Sequence, residues 1–102
     1  FFLSLTLGKV FAQKAGISGT ITDKDNIPLI GATVRIENTT IGSVTDINGK
    51  FTLETDTGKI SFIVSYIGFT SQKKKFQLSE RQKETFNVIL KYLYDSIYSL
   101  WL

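Results

Sequence analysis

Two short loops carry the side chains best suited to hold a hard cation. Asp23, Asp25 and Asn26 fall in one, and Asp46, Asn48 and Gly49 in the other. Carboxylate and amide oxygens are the ligands calcium takes, but a helix-loop-helix calcium site sets them at fixed positions over about twelve residues and closes on a Glu. Neither loop has that spacing. The same residues make Asx turns, in which the side chain bonds backbone just ahead of it, and that is their expected role. A third cluster, Lys73-Lys74-Lys75 with Phe69 and Phe76 nearby, has the mixture of bases and rings that single-strand nucleic-acid binders use. Here Phe76 shares a strand face with Leu78 and belongs to a core. Lysines on an edge strand commonly block edge-to-edge pairing, so no nucleic acid is expected as a partner.

The chain has 12 basic and 9 acidic residues, and no His or Cys. A net charge of +3, dispersed along 102 residues, gives no strong field. Without His and Cys the usual general base, thiol nucleophile and soft metal ligands are all missing. No catalytic, cofactor-binding or metal-ligating residue is assigned, no cofactor is expected, and ligand-binding residues stay unassigned. The chain does not read as an enzyme.

The elements that would position these loops are short alternating runs broken by turn residues, the pattern of an all-β sandwich. The first run, residues 17–22, puts Ile17, Gly19 and Ile21 on one face. Asp23 to Asn26 turn, and Pro28 suits a loop or edge. Residues 32–37 send Ala32, Val34 and Ile36 inward. Residues 38–42 reverse the chain into a short run, 43–45, and Asn48-Gly49 gives a strong hairpin signal. Phe51 and Leu53 face inward next, and residues 56–59 turn. Residues 60–67 are the most apolar run and read as a central strand, with Phe62, Val64 and Tyr66 on one face. Gly68 marks a bulge or bend. Residues 69–78 carry Phe76 and Leu78 inward, residues 79–83 are a polar connection with room for one helical turn, and Phe86, Val88 and Leu90 point inward from a last strand. That makes seven strands around one core.

The two termini differ from this body. Residues 1–12 hold no acid and one base, and end on Val10-Phe11-Ala12, the anatomy of a secretory signal peptide cut short at its start. The alternation of Leu3, Leu5 and Leu7 with Ser4 and Thr6 also fits a strand. Phe1 in place of Met fits a missing start. Residues 92–102 form an apolar, aromatic tail, with Leu93, Ile97, Leu100 and Trp101 at helical spacing. It is too short to cross a bilayer, and such a patch is normally covered by something.

The order of motifs is specific. Ile17-Ser18-Gly19-Thr20-Ile21-Thr22-Asp23 comes first, then Pro28-Leu29. Gly31-Ala32-Thr33-Val34-Arg35-Ile36, Gly42-Ser43-Val44-Thr45-Asp46-Ile47-Asn48-Gly49-Lys50-Phe51-Thr52-Leu53 and Ser65-Tyr66-Ile67-Gly68-Phe69 follow. Over residues 17–90 this resembles the carboxypeptidase regulatory-like domain, as found at the N-terminus of TonB-dependent outer-membrane receptors of the starch-utilisation type. The resemblance implies a seven-stranded Greek-key, transthyretin/prealbumin-like sandwich over residues 13–91. It implies a non-catalytic periplasmic accessory domain of a nutrient receptor. The partners would be periplasmic proteins or the plug and barrel of the same receptor. The membrane would be met only through that barrel, at the periplasm and outer membrane of a Gram-negative bacterium. A purine-pathway hydrolase shares the fold, but its histidines and Tyr-Arg-Gly-Ser ending are absent here. Receptors of this type continue with an acidic linker and Asp-Glu-Val-Val-Val, which residues 92–102 lack. The chain is therefore expected to be a fragment of a receptor or, alternatively, a standalone secreted module contacting glycan or protein. The tail is then non-native or truncated.

Overall fold

A computed structural model describes residues 14–94. The signal-peptide reading of residues 1–12, and the part of the tail from residue 95 onward, lie outside the described residues. Eight strands follow in order: β1 Ala15–Thr22, β2 Thr33–Ile36, β3 Gly42–Val44, β4 Lys50–Thr55, β5 Gly58–Ser65, β6 Gln72–Leu78, β7 Lys83–Thr85 and β8 Val88–Ile89. One sheet runs β3-β2-β5-β6, all antiparallel. The other runs β4-β1-β7, with β8 also on β1. The all-β sandwich expected from the alternation is the fold observed.

Period-two alternation explains the layers. Phe51, Leu53 and Thr55 of β4 are buried while Lys50, Thr52 and Glu54 are exposed. Ile17 and Ile21 from β1 face Val34 of β2 and Phe62 and Val64 of β5, each at most 1% exposed. Leu78, Val88 and Leu90 close the core. Phe76 lies between Phe62 and Phe86, with ring centroids 6.0 and 5.4 Å away in edge-on contacts. Such pairs add about 0.5–1.5 kcal/mol each beyond the area they bury. β5 is central, as expected from an apolar strand with partners on both sides.

Several expectations need correction. The last strand is divided into β7 and β8, both parallel to β1. Between them, the Phe86 N–H donates to the Ser18 carbonyl at 2.7 Å. The Asn87 Oδ1 then accepts from the Thr20 N–H at 3.0 Å, filling the gap in the ladder. A Cβ on Gly19 would sit 1.9 Å from the Phe86 carbonyl oxygen, so only glycine admits this crossing. Residues 79–82 make a turn rather than a helical turn, closed by the Gln82 N–H on the Ser79 carbonyl, with Arg81 at φ 61°. β5 ends at Ser65. Gly68, at φ 85°, sits in a turn closed by the Phe69 N–H on the Tyr66 carbonyl, and β6 begins only at Gln72. Asn48-Gly49 does turn the chain, but only Gly49 has positive φ. The strands it joins, β3 and β4, belong to different sheets.

Candidate functional site

The register gathers three connections at one end of the sandwich. Thr33 pairs with Val44 and Ser65, Val64 with Gln72, Thr20 with Lys50 and Thr22 with Ile89. The β1–β2 loop (residues 23–32), the β3–β4 turn (45–49), the β5–β6 loop (66–71) and the chain after β8 therefore share that end.

Each loop is built by its own residues. The Asp23 Oδ1 accepts from the backbone N–H of Asp25 at 2.8 Å and of Ile27 at 3.0 Å. The Asp46 Oδ1 accepts from Asn48 at 2.8 Å and Lys50 at 3.0 Å. Both expected Asx turns are present, each using its carboxylate on backbone donors. Those two donors, Lys50 first, hold the Asp46 carboxyl below its ordinary range. Between the loops stands Thr45, buried, whose Oγ1 accepts from the Ala32 N–H at 2.9 Å and donates to the Leu29 carbonyl. Gly49 completes the tie. A Cβ there would lie 2.6 Å from the Ile21 carbonyl oxygen.

An aromatic row runs across the same end. Tyr66 meets Phe69 at 5.5 Å between centroids, Phe69 meets Tyr92 at 4.5 Å, and Tyr92 meets Tyr94 at 5.7 Å. The Tyr92 hydroxyl points at the Asp23 Oδ2, 3.5 Å away. Desolvation, and then the Asp23 charge, push the Tyr92 phenol above its ordinary pKa. Beside the row opens a shallow groove of about 600 Å³ lined by Gly31, Thr33, Ser65, Tyr66 and Ile67. Its floor holds a hydroxyl pair, Thr33 Oγ1 to Ser65 Oγ at 2.7 Å.

What distinguishes this end is apolar side chains in water. Nine large hydrophobic residues are exposed among the described residues, and only Ile41 lies at the opposite end. Ile67, on the β5–β6 turn, is 95% exposed. Sequence reading placed Tyr66 and Ile67 inside a strand. Gly68 was the available signal, because a glycine that permits positive φ at a turn puts the preceding residue at its tip.

The lysine run lies elsewhere. Lys73, Lys74 and Lys75 are all exposed on β6, an edge strand. Lys73 pairs with Glu37 at 2.8 Å, holding that carboxyl below its ordinary pKa, and the Lys74 ammonium lies 5.9 Å from the Phe76 ring centre. Phe76, half-buried between two rings, is no stacking platform. No group of three or more Asp and Glu among the described residues converges as a metal cage. What the end exposes is aliphatic side chains beside the polar residues of its turns, Lys24, Asp25, Asn26, Asp46 and Asn48.

The TonB-dependent receptor SusC of Bacteroides thetaiotaomicron is 39% identical over 72 residues, which are 71% of this chain and 7% of that protein. The TonB-dependent receptor P39 of Formosa agariphila is 35% identical over 72 residues, again 71% and 7%. The chain thus spans a small part of the curated relatives it matches. Among solved structures, chlorocatechol 1,2-dioxygenase from Pseudomonas putida superposes with a TM-score of 0.65 at 11% identity, over 78% of this chain and 60% of that one. A chain of the type II cohesin–X-dockerin complex from Acetivibrio cellulolyticus gives 0.57 at 22% identity, over 72% and 52%. At those identities the likeness is one of fold, and no activity passes with it. The CarboxypepD_reg-like domain model matches residues 17–96, nearly the whole of the described sandwich, and the chain belongs to that family.

Proposed function

We propose that this sandwich is a non-catalytic accessory domain of a TonB-dependent outer-membrane nutrient receptor, held on the periplasmic side, and that these 102 residues are a piece of that receptor. The observation that carries this reading is the 39% identity to a receptor of which the matched stretch is only 7%. The geometry supports it. The sandwich exposes aliphatic side chains on the loops of one end, and a sequence without His or Cys holds neither of the commonest bases and nucleophiles. Its partners are the plug and barrel of the same receptor, or other periplasmic proteins.

Reading the gene beyond both ends tests the assignment. Signal-peptide coding upstream and plug and barrel coding downstream are expected. Deleting residues 17–90 from that receptor should leave barrel assembly intact and reduce uptake. A genuine stop after Leu102 with no barrel beyond it would sink the proposal and favour a standalone secreted module. Fractionation that found the receptor's domain in the cytoplasm would sink it as well.

A further inference from the structure

The 12 bases and 9 acids are scattered along the sequence, but the register gathers their excess on one surface. In the β3-β2-β5-β6 sheet, Val34, Phe62 and Val64 point into the core, so their chain neighbours point outward. Arg35 stands opposite Ile63, and Ile63 opposite Lys73. In the next outward row, further from the loop end, Ser61 stands opposite Lys75, and the Glu37 N–H donates to the Ser61 carbonyl. In the row after that Lys59 stands opposite Gln77. Arg35, Lys59, Lys73 and Lys75 are all exposed. Among the described residues, Glu37 is the one acid in these rows, and it pairs with Lys73. These four bases and one acid carry a charge equal to the +3 of the whole chain, because the other eight bases and eight acids cancel.

Edge protection accounts only for the lysines of β6. Arg35 and Lys59 stand on β2 and β5, each with a strand on both sides. The outer face of the other sheet is mixed in sign, with Lys50, Glu54 and Lys83. The basic patch is broad as well as one-signed. Arg35 and Lys73 are two strand spacings apart, about 10 Å, and Lys59 lies about 13 Å along β5 from the Ile63 row. The groove at the loop end is lined by none of the four bases. An extended acidic segment follows one line and meets two of them. A planar layer of anionic headgroups meets all four together.

We propose that the outer face of this sheet lies against the surface of an anionic lipid bilayer, with Arg35, Lys59, Lys73 and Lys75 among the headgroups. The inference rests on the receptor reading for the nearness of a membrane. One base near such a surface is worth about five-fold in partitioning. Three net charges therefore hold a free domain weakly and a domain tethered to a membrane protein well.

Cosedimentation of the full chain with vesicles tests it, phosphatidylcholine alone against an equimolar mixture with phosphatidylglycerol. Retention on the mixture, little on the neutral lipid, and release by high salt are expected. Arg35→Glu with Lys59→Glu changes the face by four charge units and should weaken retention by about several hundred-fold. Both positions are exposed and off the edge, so the β6 lysines stay in place and circular dichroism should show the same sandwich. Lys50→Glu with Lys83→Glu makes the same change on the opposite face. Packed sheets are ~10 Å apart and the side chains reach further, so those charges lie beyond a Debye length of ~10 Å and should weaken retention by under about ten-fold. No retention on the mixture would overturn the proposal. Equal losses in the two double variants would as well, because net charge rather than this face would then set the binding. Equal retention on neutral lipid would count against it in the same way. A chain that binds polyglutamate and ignores the vesicles would overturn it and assign the face to an acidic protein. Barrel coding downstream with no vesicle retention would sink this inference alone, whereas retention by a chain whose gene holds no barrel would sink the receptor reading alone.

Discussion

The two ends of this sandwich are made of similar turns and finished in different ways. At the far end, the β2–β3 hairpin turns through Asn38 at φ 65°. The Thr39 hydroxyl donates to the Ile36 carbonyl at 2.8 Å and accepts from the Ile41 N–H at 3.0 Å, all in contact with water. An exposed ion pair, Lys14–Asp56 at 2.8 Å, flanks that end. At the loop end, the corresponding threonine, Thr45, is buried, and it ties one connection to another rather than closing its own turn. There Asp23 and Thr45 are buried while Ile30, Ile47 and Ile67 stand in water. The far end is finished for solvent. The loop end ties its β1–β2 and β3–β4 connections to each other through Thr45 and presents Ile30, Ile47 and Ile67 on the outside.

Glycine substitution gives the largest expected contrast. Gly49 and Gly58 both have positive φ, so an alanine is strained at either. Only at Gly49 does the added Cβ run into backbone, the Ile21 carbonyl. Gly49→Ala should cost about 3 kcal/mol and Gly58→Ala about 1 kcal/mol, from backbone strain alone in the second case and strain plus overpacking in the first. Urea unfolding of the two variants measures the gap, and equal losses would break the comparison. The threonines come next. Thr45→Val leaves a buried N–H and a buried carbonyl without their partner, at about 2–3 kcal/mol, whereas Thr39→Val should stay under about 1 kcal/mol because water replaces the hydroxyl.

Acid sharpens the comparison further. The Asp46 carboxyl is held low by the backbone donors of Lys50 and Asn48, so its folded pKa lies below its unfolded one. Its contribution is therefore present above the ordinary carboxylate range and is lost as pH falls through the folded value. Asp46→Asn keeps an acceptor oxygen for the turn but should flatten this part of the acid limb, while Asp46→Ala should lose both the turn and the pH dependence. Denaturant unfolding at a series of pH values separates the two variants. The smallest effect is expected for Lys73→Ala. Its exposed pair contributes little to stability, yet the Glu37 carboxyl should rise toward its ordinary pKa, a change visible by NMR titration even if the melting temperature does not move.

Most of the strands were legible because their determinants are local. Alternation named Ile17, Ile21, Val34, Phe51, Leu53, Phe62, Val64, Leu78, Val88 and Leu90 as core, and all are buried. The Asx turns at Asp23 and Asp46 were equally legible, since the side chain bonds backbone only a few residues away. Two of the misreadings concern long-range pairing. Phe86 and Asn87 look like the middle of a strand until Gly19, far away in sequence, lets the Phe86 carbonyl approach β1. Asn48-Gly49 has the chemistry of a hairpin, but Thr45 and Gly49 pack against the β1–β2 loop and β4 departs to pair with β1.

By itself, the sequence determined the all-β class, the core face of each long strand, the turn chemistry and the absence of histidine and cysteine. Each of these depends on residue type or on spacing within a few positions. Tertiary structure alone decided which strands share a sheet, where the last strand divides, and that Ile30, Ile47 and Ile67 stand at one end. Sheet order depends on contacts between distant segments, whose loop-closure entropy and packing no local pattern encodes. An isoleucine in a loop reads the same in sequence whether its neighbours in space are water or other isoleucines.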